Sequence, residues 1–551
     1  MTDKPMNMTD YEATRADFEL TVPDTFNFTR DVIEGWAARQ PKRTALVAAG
    51  PTGERTVTWS FSDLGSRARR AANFLAELGV GKGDRIFVML PRVPAWYEVL
   101  LGAFYLGAVP MPGTVQLTSS DIAHRIQRAD ASMVVVDEEG ATKIDAIRDD
   151  CPSLTSTLVV GGARSEWASW DAGLEAASDS VPEVRPTSAS DPLLIYFTSG
   201  TTGYPKMVLH THASYGIGHE VTARFWQDLK PDDLHWTISD TGWAKAAWGK
   251  LFGQWRIGAA NFLWDSRGKP DFELIPRLIR QYGVTTFCAP PTIYRQLVTM
   301  NLDPGNFSRL RHAVAAGEPL NPDTFEMWKR ATGTEIHDGY GQTETCNVVA
   351  NFRCLAKKPG SMGKPVPGYE VGVIDDDGET MAPGEIGNIA IRVDPSRPVG
   401  LFQEYWRDPE STEGAFRHGW YYTGDQAHVD DDGYFWFSSR ADDVIISAGY
   451  RIGPFEVESA IMEHSSVAET AVIGVPDATR GEVVKAFVVL KPNTTPSDAL
   501  AVELQEFVKQ QTAPYKYPRE VEFVTDLPKT ISGKIRRVEL RDAGGEHLSS
   551  S

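Results

Sequence analysis

Hydroxyl side chains, glycines and a lysine lie together in the segment Tyr-Phe-Thr-Ser-Gly-Thr-Thr-Gly-Tyr-Pro-Lys, residues 196–206. The apolar run at residues 193–197 predicts a buried strand, and the polar string after it predicts a mobile loop. Glycines let backbone N–H groups approach an anion closely, hydroxyls add hydrogen-bond donors, and Lys206 adds a positive charge. These residue types in this order predict a loop that holds a polyphosphate.

The spacing of this loop differs from that of a Walker A loop. A Walker A loop has four residues between its glycines and a lysine directly after the second glycine. Here Gly200 and Gly203 enclose two residues, and Lys206 follows three positions later. A plain surface loop rich in glycine, serine and threonine remains the alternative. The loop alone therefore indicates phosphate binding but not a reaction.

Five other segments carry residue types that suit nucleotide chemistry. They are Ala-Gly-Glu-Pro at 316–319, Asp-Gly-Tyr-Gly-Gln-Thr-Glu at 338–344, Tyr-Thr-Gly-Asp at 422–425, residues 439–451, and Pro-Lys-Thr-Ile-Ser-Gly-Lys at 528–534. Each segment alone also fits a plain turn, a surface ion pair or a solvated lysine. Their combination, order and spacing in one chain favour a single nucleotide site.

The elements that must position these segments follow an α/β pattern. Short apolar runs at 86–90, 133–136, 285–289 and 312–316 alternate with helical periodicity, as at 273–282, which predicts parallel sheets covered by helices. Hairpin signals at 375–378 and 430–433 predict an antiparallel or barrel-like section that closes the large domain.

The sequence predicts a domain boundary near residue 441. We expect a large N-terminal domain at 1–441 and a small, mobile α+β domain at 442–551, with helices at 454–463 and 499–510 and strands at 469–475 and 484–490. Residues 1–20 are polar, and we expect them to be loosely ordered.

The composition excludes several classes of function. Of the 551 residues 42% are hydrophobic and 23% are charged, which is typical of a soluble globular protein, and the net charge of −19 argues against a polyanion-binding surface. The four cysteines show no zinc-like spacing, so free thiols are the expectation, although Cys346 and Cys354 could pair. No secretory or transit signal and no bilayer-spanning run is visible, so the sequence predicts a cytoplasmic protein.

The motifs together resemble those of the adenylate-forming superfamily of acyl-CoA synthetases, peptide-synthetase adenylation domains and beetle luciferases. The resemblance covers residues from about 30 to 540 and looks closest to the medium-chain acyl-CoA synthetases, because of Met207 after the loop and Asp-Thr-Gly-Trp at 240–243. It implies two half-reactions with ATP, Mg²⁺ and coenzyme A. A carboxylate first forms an acyl-adenylate with release of pyrophosphate, and the thiol of coenzyme A then displaces AMP.

The resemblance also implies a role for each matching residue. Lys534, Thr343 and Glu344 would be catalytic: Lys534 bridges the carboxylate and the α-phosphate, Thr343 contacts that phosphate, and Glu344 ligates Mg²⁺. The nucleotide and coenzyme A would be held by Thr198, Ser199, Gly200, Thr201, Thr202, Gly203, Lys206, Gly317, Glu318, Pro319, Asp338, Gly339, Tyr340, Asp425, Arg440, Gly449 and Arg451. Among these, Asp425 and Arg440 would bind the ribose, and Gly449 would lie beside the pantetheine tunnel. Asp442 matches the hinge position.

The acyl pocket is expected to hold an acid larger than acetate. Acetate-activating relatives carry a tryptophan where this chain has Gly341, and losing that indole would open room for several methylenes. Trp243 and Trp248 are candidate pocket residues, with core packing as the alternative, whereas Lys245 and Lys250 suit plain surface charges. The expected substrate is a medium-chain, branched or aromatic acid.

Two other functions and one metal site remain open from the sequence. The chain could load a carrier-protein phosphopantetheine instead of free coenzyme A, or could be a non-catalytic nucleotide-binding relative. The pair His210 and His212 could bind a metal, but polar contacts within the protein are the favoured interpretation. The expected partners are small molecules, with no nucleic acid and no membrane span.

Overall fold

The computed structural model describes residues 5–198, 205–267, 271–440, 443–447, 450–477, 480–512, 515–529 and 535–543, without the side chains of residues 450, 451, 542 and 543. Strands and helices alternate through most of this chain, as the apolar runs predicted. The α/β fold class is confirmed.

Residues 5–197, which precede the predicted phosphate-binding loop at 198–206 (the phosphate loop), contain eight strands and seven α-helices. The strands are β1 (Thr44–Ala49), β2 (Arg55–Ser60), β3 (Arg85–Met89), β4 (Val109–Pro112), β5 (Met133–Asp137), β6 (Ser156–Val160), β7 (Ala168–Ser169) and β8 (Pro192–Phe197). The helices are α1 (Tyr11–Asp17), α2 (Gly35–Arg39), α3 (Phe61–Glu77), α4 (Pro94–Leu106), α5 (Ser119–Ala129), α6 (Glu138–Asp145) and α7 (Trp170–Ala176), with a π-helical segment at Phe28–Glu34 and a 3₁₀ turn at Arg148–Asp150.

The middle part carries most of the segments singled out above. Its strands are β9 (Met207–Thr211), β10 (Leu234–Thr237), β11 (Ala260–Trp264), β12 (Thr286–Ala289), β13 (His312–Ala316), β14 (Ile336–Tyr340), β15 (Val349–Ala350), β16 (Lys364–Pro365), β17 (Val371–Ile374), β18 (Gly387–Arg392), β19 (Glu404–Tyr405), β20 (Phe416–Arg417), β21 (Trp420–Val429) and β22 (Phe435–Arg440). Its helices are α8 (His219–Val221), α9 (Lys245–Lys250), α10 (Phe252–Ile257), α11 (Leu274–Tyr282), α12 (Pro291–Val298), α13 (Pro322–Thr332) and α14 (Pro409–Ala415), with a π-helical segment at Thr222–Trp226 and a 3₁₀ turn at Pro304–Phe307.

The last part forms a mixed sheet with helices. Its strands are β23 (Ile445–Ser447), β24 (Tyr450–Ile452), β25 (Val467–Asp477), β26 (Gly481–Leu490) and β27 (Glu520–Phe523), and its helices are α15 (Pro454–Met462), α16 (Asp498–Gln511) and α17 (Arg537–Ala543). The strand order is β24-β23-β26-β25, with β27 parallel to β26. Buried residues of β25 and β26 build two apolar clusters with α15, α16 and α17.

Two largely parallel sheets dominate the rest. A nine-stranded sheet has the order β16-β15-β14-β13-β12-β10-β11-β1-β2, and its neighbours from β14 to β1 pair in parallel. A five-stranded sheet, β4-β3-β5-β6-β7, is parallel throughout. Ligand-binding loops of such sheets lie at the carboxyl ends of the strands, which here include residues 317–319 after β13 and 341–344 after β14.

Antiparallel strands form the expected closing section. Strands β17, β18, β21 and β20 pair in that order, and β22 pairs with β21. The hairpin signal at 430–433 joins β21 to β22, whereas the turn at 375–378 ends in a single bridge between Ile374 and Thr380 before the chain reaches β18.

The N-terminal segment is more ordered than its polar composition predicted. Asp10 caps α1 by accepting a hydrogen bond from the Ala13 N–H, and Tyr11 is 6% exposed, with its hydroxyl donating to the Pro365 carbonyl at 2.8 Å. Asn7 also donates from its backbone to Asp228 at 2.8 Å. The expectation of a loosely ordered start is therefore wrong for residues 5–18, because a few buried side chains anchor a polar helix.

Candidate active site

The phosphate loop connects two antiparallel strands. The predicted buried strand is β8, and β9 pairs with it through Phe197 and Met207. The Thr198 N–H donates to the Lys206 carbonyl at 3.0 Å, so the base of the connection is closed by a backbone hydrogen bond. This geometry differs from a Walker A loop, which runs from a strand into a helix. Both ends of the loop therefore belong to one hairpin.

Tyr405 of β19 joins the loop lysine to the candidate magnesium ligand. The Lys206 ammonium lies 4.5 Å from the centre of the Tyr405 ring, and the Tyr405 hydroxyl donates to Glu344 Oε1 at 2.9 Å. Burial raises the pKa of Glu344, while the Tyr405 hydrogen bond and the charge of Lys206 act in the opposite direction. Tyr405 therefore contacts both Lys206 and the buried carboxylate of Glu344.

The backbone of Thr343 is held by two side chains from the β9 region. Its carbonyl accepts hydrogen bonds from His210 Nε2 at 2.8 Å and from the Tyr215 hydroxyl at 2.6 Å. The two rings stack with centroids 3.4 Å apart. Burial lowers the pKa of His210 to about 3, so the ring is neutral at pH 7, and Nε2 must carry the proton. His212 Nδ1 accepts from the Phe28 N–H at 3.3 Å, so both histidines serve polar contacts, as favoured above.

Asp425 lies at the centre of a hydrogen-bond cluster between β14 and β21. Its Oδ2 accepts from the Tyr340 hydroxyl at 2.7 Å and from Gln342 Nε2 at 2.6 Å. Arg440 lies opposite Asp425 on β22, with its Nε 3.8 Å from Oδ1. Tyr421 donates to the Gln342 side-chain oxygen at 3.1 Å. The carboxylate is therefore oriented by groups from three strands or loops.

The segment after β13 places Glu318 against α12. Its carboxylate accepts from the Thr292 N–H at 2.8 Å and pairs with Arg295 at 3.2 Å. Burial alone would raise the pKa of Glu318, but Arg295 and Thr292 outweigh it and the net shift is downward. Gly317 has φ +106°, a conformation that favours glycine, and Pro319 follows Glu318. The Glu318 carboxylate therefore binds residues of α12. The turn at residues 317–319 lies at the carboxyl end of β13.

Asp338 and Gly339 lie in the second half of β14, where neighbouring side chains pack closely. A Cβ atom at Gly339 would lie 2.5 Å from the Trp226 indole, so only glycine fits. Asp338 is buried, and its Oδ1 accepts from the Gly339 N–H at 3.0 Å. Burial raises the pKa of Asp338 to about 8, so the carboxyl is largely protonated at pH 7.

This raised pKa predicts a pH-dependent stability. The unfolded carboxyl ionises near 3.8 and the folded one near 8, so between these values unfolding releases a proton and stability falls as the pH rises. Asp338→Asn removes this titration while keeping the oxygen that accepts from Gly339. We expect wild type to lose stability relative to Asp338→Asn between about pH 4 and pH 8, measured by urea unfolding. Parallel pH profiles for the two proteins would contradict the assignment.

The space beside Gly341 is filled. A Cβ atom at Gly341 would lie 2.4 Å from the Cys346 carbonyl oxygen and 2.4 Å from the Trp248 indole, and Trp248 is only 5% exposed. The expectation of open room at this position is corrected, because the indole of Trp248 packs where a side chain at 341 would lie. Trp243 precedes α9 and is half-buried.

Lys245 and Lys250 are not surface charges. The Lys245 ammonium donates to the Ala316 carbonyl beside the turn at Gly317. Lys250 is 1% exposed and donates to the Thr237 carbonyl at 2.6 Å, and burial lowers its pKa to about 7. The spacing of the two lysines on α9 does not predict these contacts, because the contacts depend on how α9 packs against the ends of β10 and β13.

Several predicted site residues fall outside what the structure describes. These are Ser199, Gly200, Thr201, Thr202, Gly203, Asp442, Gly449 and Lys534. For Arg451 only the backbone in β24 is described. Their roles stay predictions.

Sequence reasoning missed three residues that complete the site: Tyr405, Tyr215 and Gln342. Gln342 could have been found, because it lies within the Asp-Gly-Tyr-Gly-Gln-Thr-Glu segment. Tyr405 gave no local signal, since it lies 61 residues from Glu344. All four cysteines are free, as expected.

Comparisons with known proteins show which family the chain belongs to. Residues 33–406 match the AMP-binding enzyme family, and residues 456–534 match the AMP-binding enzyme C-terminal domain. The chain is 47% identical over 551 residues to the acyl-coenzyme A synthetase ACSM3 of Pongo abelii, with 98% of this chain and 93% of that protein covered. It is 46% identical over 547 residues to ACSM4 of Mus musculus, covering 98% and 94%. The solved structure of the anthranilate CoA ligase AuaEII in complex with anthranoyl-AMP has a TM-score of 0.87 and 30% identity, covering 95% of this chain and 98% of that one.

The comparison corrects one expectation. Both of these synthetases are mitochondrial proteins by name, so the predicted cytoplasmic location is contradicted. Within the described parts of the chain, no helix combines the length and apolar character needed to cross a membrane. The family matches and the near full-length identities carry the assignment: the chain belongs to the AMP-binding enzyme family and, within it, to the acyl-coenzyme A synthetases of the adenylate-forming superfamily.

Proposed function

We propose that this chain is an ATP-dependent, AMP-forming ligase that joins a carboxylic acid to the thiol of coenzyme A. The observation that carries the proposal is the convergence of separate motifs. Lys206 and Glu344 meet through Tyr405, and Tyr340 and Gln342 from the same segment as Glu344 hold Asp425. Phosphate, metal and ribose ligands thus lie around one stretch of chain, 338–344.

In the first half-reaction a carboxylate oxygen of the acid attacks the α-phosphorus of ATP, and the bond to the β-phosphate breaks. Thr198, Lys206 and residues 199–203 are proposed to hold the β- and γ-phosphates, acting by position and charge rather than by covalent chemistry. Thr343 contacts the α-phosphate, and the hydrogen bonds of His210 and Tyr215 to its carbonyl support a fixed backbone there. Lys534 bridges the two reacting groups.

Glu344 suits a hard cation. Mg²⁺ is usually bound by one or two carboxylates together with substrate phosphates, and Glu344 is a buried carboxylate beside the lysine that ends the phosphate loop. A bound Mg²⁺ would neutralise phosphate charge, and the Tyr405 hydrogen bond keeps the Glu344 carboxylate aimed and favours its ionised form.

The nucleotide is proposed to lie across the carboxyl ends of β13 and β14 and beside Asp425 in the middle of β21. Asp425 and Arg440 hold the ribose hydroxyls, and the turn 317–319 and the segment 338–340 line the adenine. The ribose role is supported by Asp425 being oriented by Tyr340 and Gln342.

In the second half-reaction the sulfur of coenzyme A attacks the acyl carbon, the acyl–oxygen bond to phosphate breaks, and AMP leaves. The small domain at 442–551 is proposed to turn about Asp442 relative to 1–441, with Gly449 and Arg451 along the path of the pantetheine arm. The match of residues 456–534 to a separate C-terminal domain family supports this division.

The acid is proposed to be a medium-chain, branched or aromatic one. AuaEII, a structural neighbour, is an anthranilate CoA ligase whose structure was solved in complex with anthranoyl-AMP. Trp248 against Gly341 is the proposed wall of the acyl pocket: glycine at 341 lets the indole lie against the backbone.

The contact between Trp248 and Gly341 predicts what a tryptophan at position 341 would do. Gly341→Trp must displace Trp248 and crowd a backbone carbonyl, so we expect kcat/KM with every acid to fall roughly 5- to 150-fold, the factor that corresponds to the roughly 1–3 kcal/mol that overpacking costs. Adding Trp248→Gly should restore activity and shift preference toward acetate and propionate, by roughly fourfold in kcat/KM per methylene excluded. The measurement is kcat/KM across straight-chain acids. Gly414→Trp, at an exposed glycine where an added Cβ has no neighbouring atom within 4 Å, is the control. An unchanged chain-length profile in the double variant would contradict this wall.

The function itself is tested by AMP and pyrophosphate release across straight, branched and aromatic acids, with coenzyme A or a phosphopantetheinylated carrier protein as acceptor. AMP release with coenzyme A supports the proposal. Turnover only with the carrier protein would favour the loading enzyme, and ATP binding without pyrophosphate release would favour the non-catalytic relative.

A further inference from the structure

An ion-pair cluster lies directly after the segment that carries Lys534. Arg537, the first residue of α17, donates to both oxygens of Glu458, at 2.7 and 2.8 Å, and its other terminal nitrogen lies 3.3 Å from Asp443. Arg541, one turn later, pairs with the second oxygen of Asp443. The side chains of Arg537, Glu458 and Asp443 are 20%, 9% and 13% exposed, so these pairs are shielded from solvent.

Glu458 and Asp443, the two partners of Arg537, each make a further hydrogen bond. Glu458 lies on α15, and its Oε1 also accepts from the Val472 N–H of β25 at 2.8 Å. The Asp443 N–H donates to the Arg440 carbonyl at 3.0 Å, at the end of β22. The guanidinium of Arg537 therefore joins α17 to α15, through Glu458 to β25, and to Asp443, which follows the proposed hinge residue Asp442.

The chain on either side of residues 530–534 is also joined to β25. Lys529 and Ile535 form an antiparallel bridge, the Arg536 N–H donates to the Pro528 carbonyl at 2.8 Å, and the Lys529 ammonium binds Glu469 at 2.7 Å. Lys534 directly precedes Ile535. Arg537 follows Lys534 by three positions in the sequence, so a change at Arg537 acts close along the chain to that lysine.

We propose that Arg537 is a positioning residue for adenylation: through Glu458 and Asp443 it couples the lysine-bearing segment to the hinge, so that Lys534 reaches the α-phosphate when the small domain turns. This inference rests on the proposed function. A rotation at residue 442 moves Lys534 to a defined place only if the chain between them is rigid. Displacing a catalytic group by about 1 Å costs roughly 100-fold in rate, so a loosened coupling should affect the step that uses Lys534 and spare the step that does not.

The test uses Arg537→Gln in the full-length protein, with the two half-reactions measured separately. We expect pyrophosphate release in single turnover to fall about 10- to 100-fold, while thioester formation from supplied acyl-AMP and coenzyme A stays within about threefold of wild type. Arg537→Lys should recover part of adenylation, because a lysine keeps the charge but not the fork that reaches both carboxylates. Lys485→Gln breaks a comparable pair, Lys485 with Glu522 at 3.0 Å, elsewhere in the same sheet, and should leave both steps unchanged.

A double-mutant cycle separates positioning from stability. In a Lys534→Ala background, Arg537→Gln should cause no further loss of adenylation, because the group it positions is gone. Equal loss of both half-reactions, or independent losses from the two substitutions, would overturn the proposal. If Arg537→Gln does not fold, Asp443→Asn replaces it, with the same expected split and the same overturning results. Failure of the proposed function is seen separately, as wild type releasing no pyrophosphate with any acid.

Discussion

Replacing Lys534 with alanine is expected to lower acyl-AMP formation by about 100- to 1,000-fold, the usual effect of removing one preorganised donor from a developing charge. By the family resemblance its ammonium would lie at the oxygen atoms of the acid and the α-phosphate, where negative charge shifts as the acyl–phosphate bond forms. When the thiol attacks acyl-AMP, the small domain is proposed to have turned about Asp442, so that Lys534 no longer acts at these atoms. Thioester formation from supplied acyl-AMP should therefore continue at nearly the wild-type rate.

Single-turnover pyrophosphate release measures the first half-reaction, and coenzyme A consumption with synthetic acyl-AMP measures the second. Lys491→Ala, at an exposed lysine after β26, is the matched control and should change neither rate. Equal losses in both half-reactions for Lys534→Ala would refute the assigned role.

The second large effect is expected at Asp425. Asp425→Asn keeps the shape of the side chain but replaces one carboxylate oxygen with an NH2 group. This hydrogen-bond donor would face the Tyr340 hydroxyl, the Gln342 amide or the ribose. Hydrogen bonds to a charged group contribute about 1.5–3 kcal/mol, so the KM for ATP should rise roughly 10- to 100-fold.

Deoxy-ATP analogues show whether this loss concerns the ribose. Wild type should discriminate against 2′- and 3′-deoxy-ATP, whereas Asp425→Asn should treat them and ATP nearly alike. Asp430→Asn, in the turn of the same hairpin, breaks a pair with Lys358 at 2.6 Å and should leave the KM for ATP unchanged. If Asp425→Asn keeps the wild-type discrimination, Asp425 does not bind the ribose.

Much of the fold near the site could be predicted because its strands are short apolar runs bounded by turn residues. The run at 312–316 is β13 with the predicted bounds, and 285–289 is β12 apart from one residue. In the structure the segments at 317–319 and 341–344 follow β13 and β14 at the carboxyl edge of a parallel sheet.

The sequence predictions that were wrong for Lys250, Tyr11 and Gly341 share one physical cause. Lys250 looks like a surface lysine, and Tyr11 stands in a polar segment, yet both are buried by elements distant in sequence. Periodicity reports which face of an element is apolar, but it does not report which other element will cover a polar residue. The filled space beside Gly341 was missed for the same reason, because it depends on where α9 carries Trp248.

The sequence by itself determined the family and the reaction class, because phosphate, ribose and metal ligands require particular residue types at particular spacings within short segments. Only the tertiary structure decided which of these groups touch. It set Tyr405 between Lys206 and Glu344, joined Tyr340 and Gln342 to Asp425, and tied Arg537 to Glu458 and Asp443. Such contacts span tens to hundreds of residues and depend on how whole sheets and helices pack, which no local pattern of residues specifies.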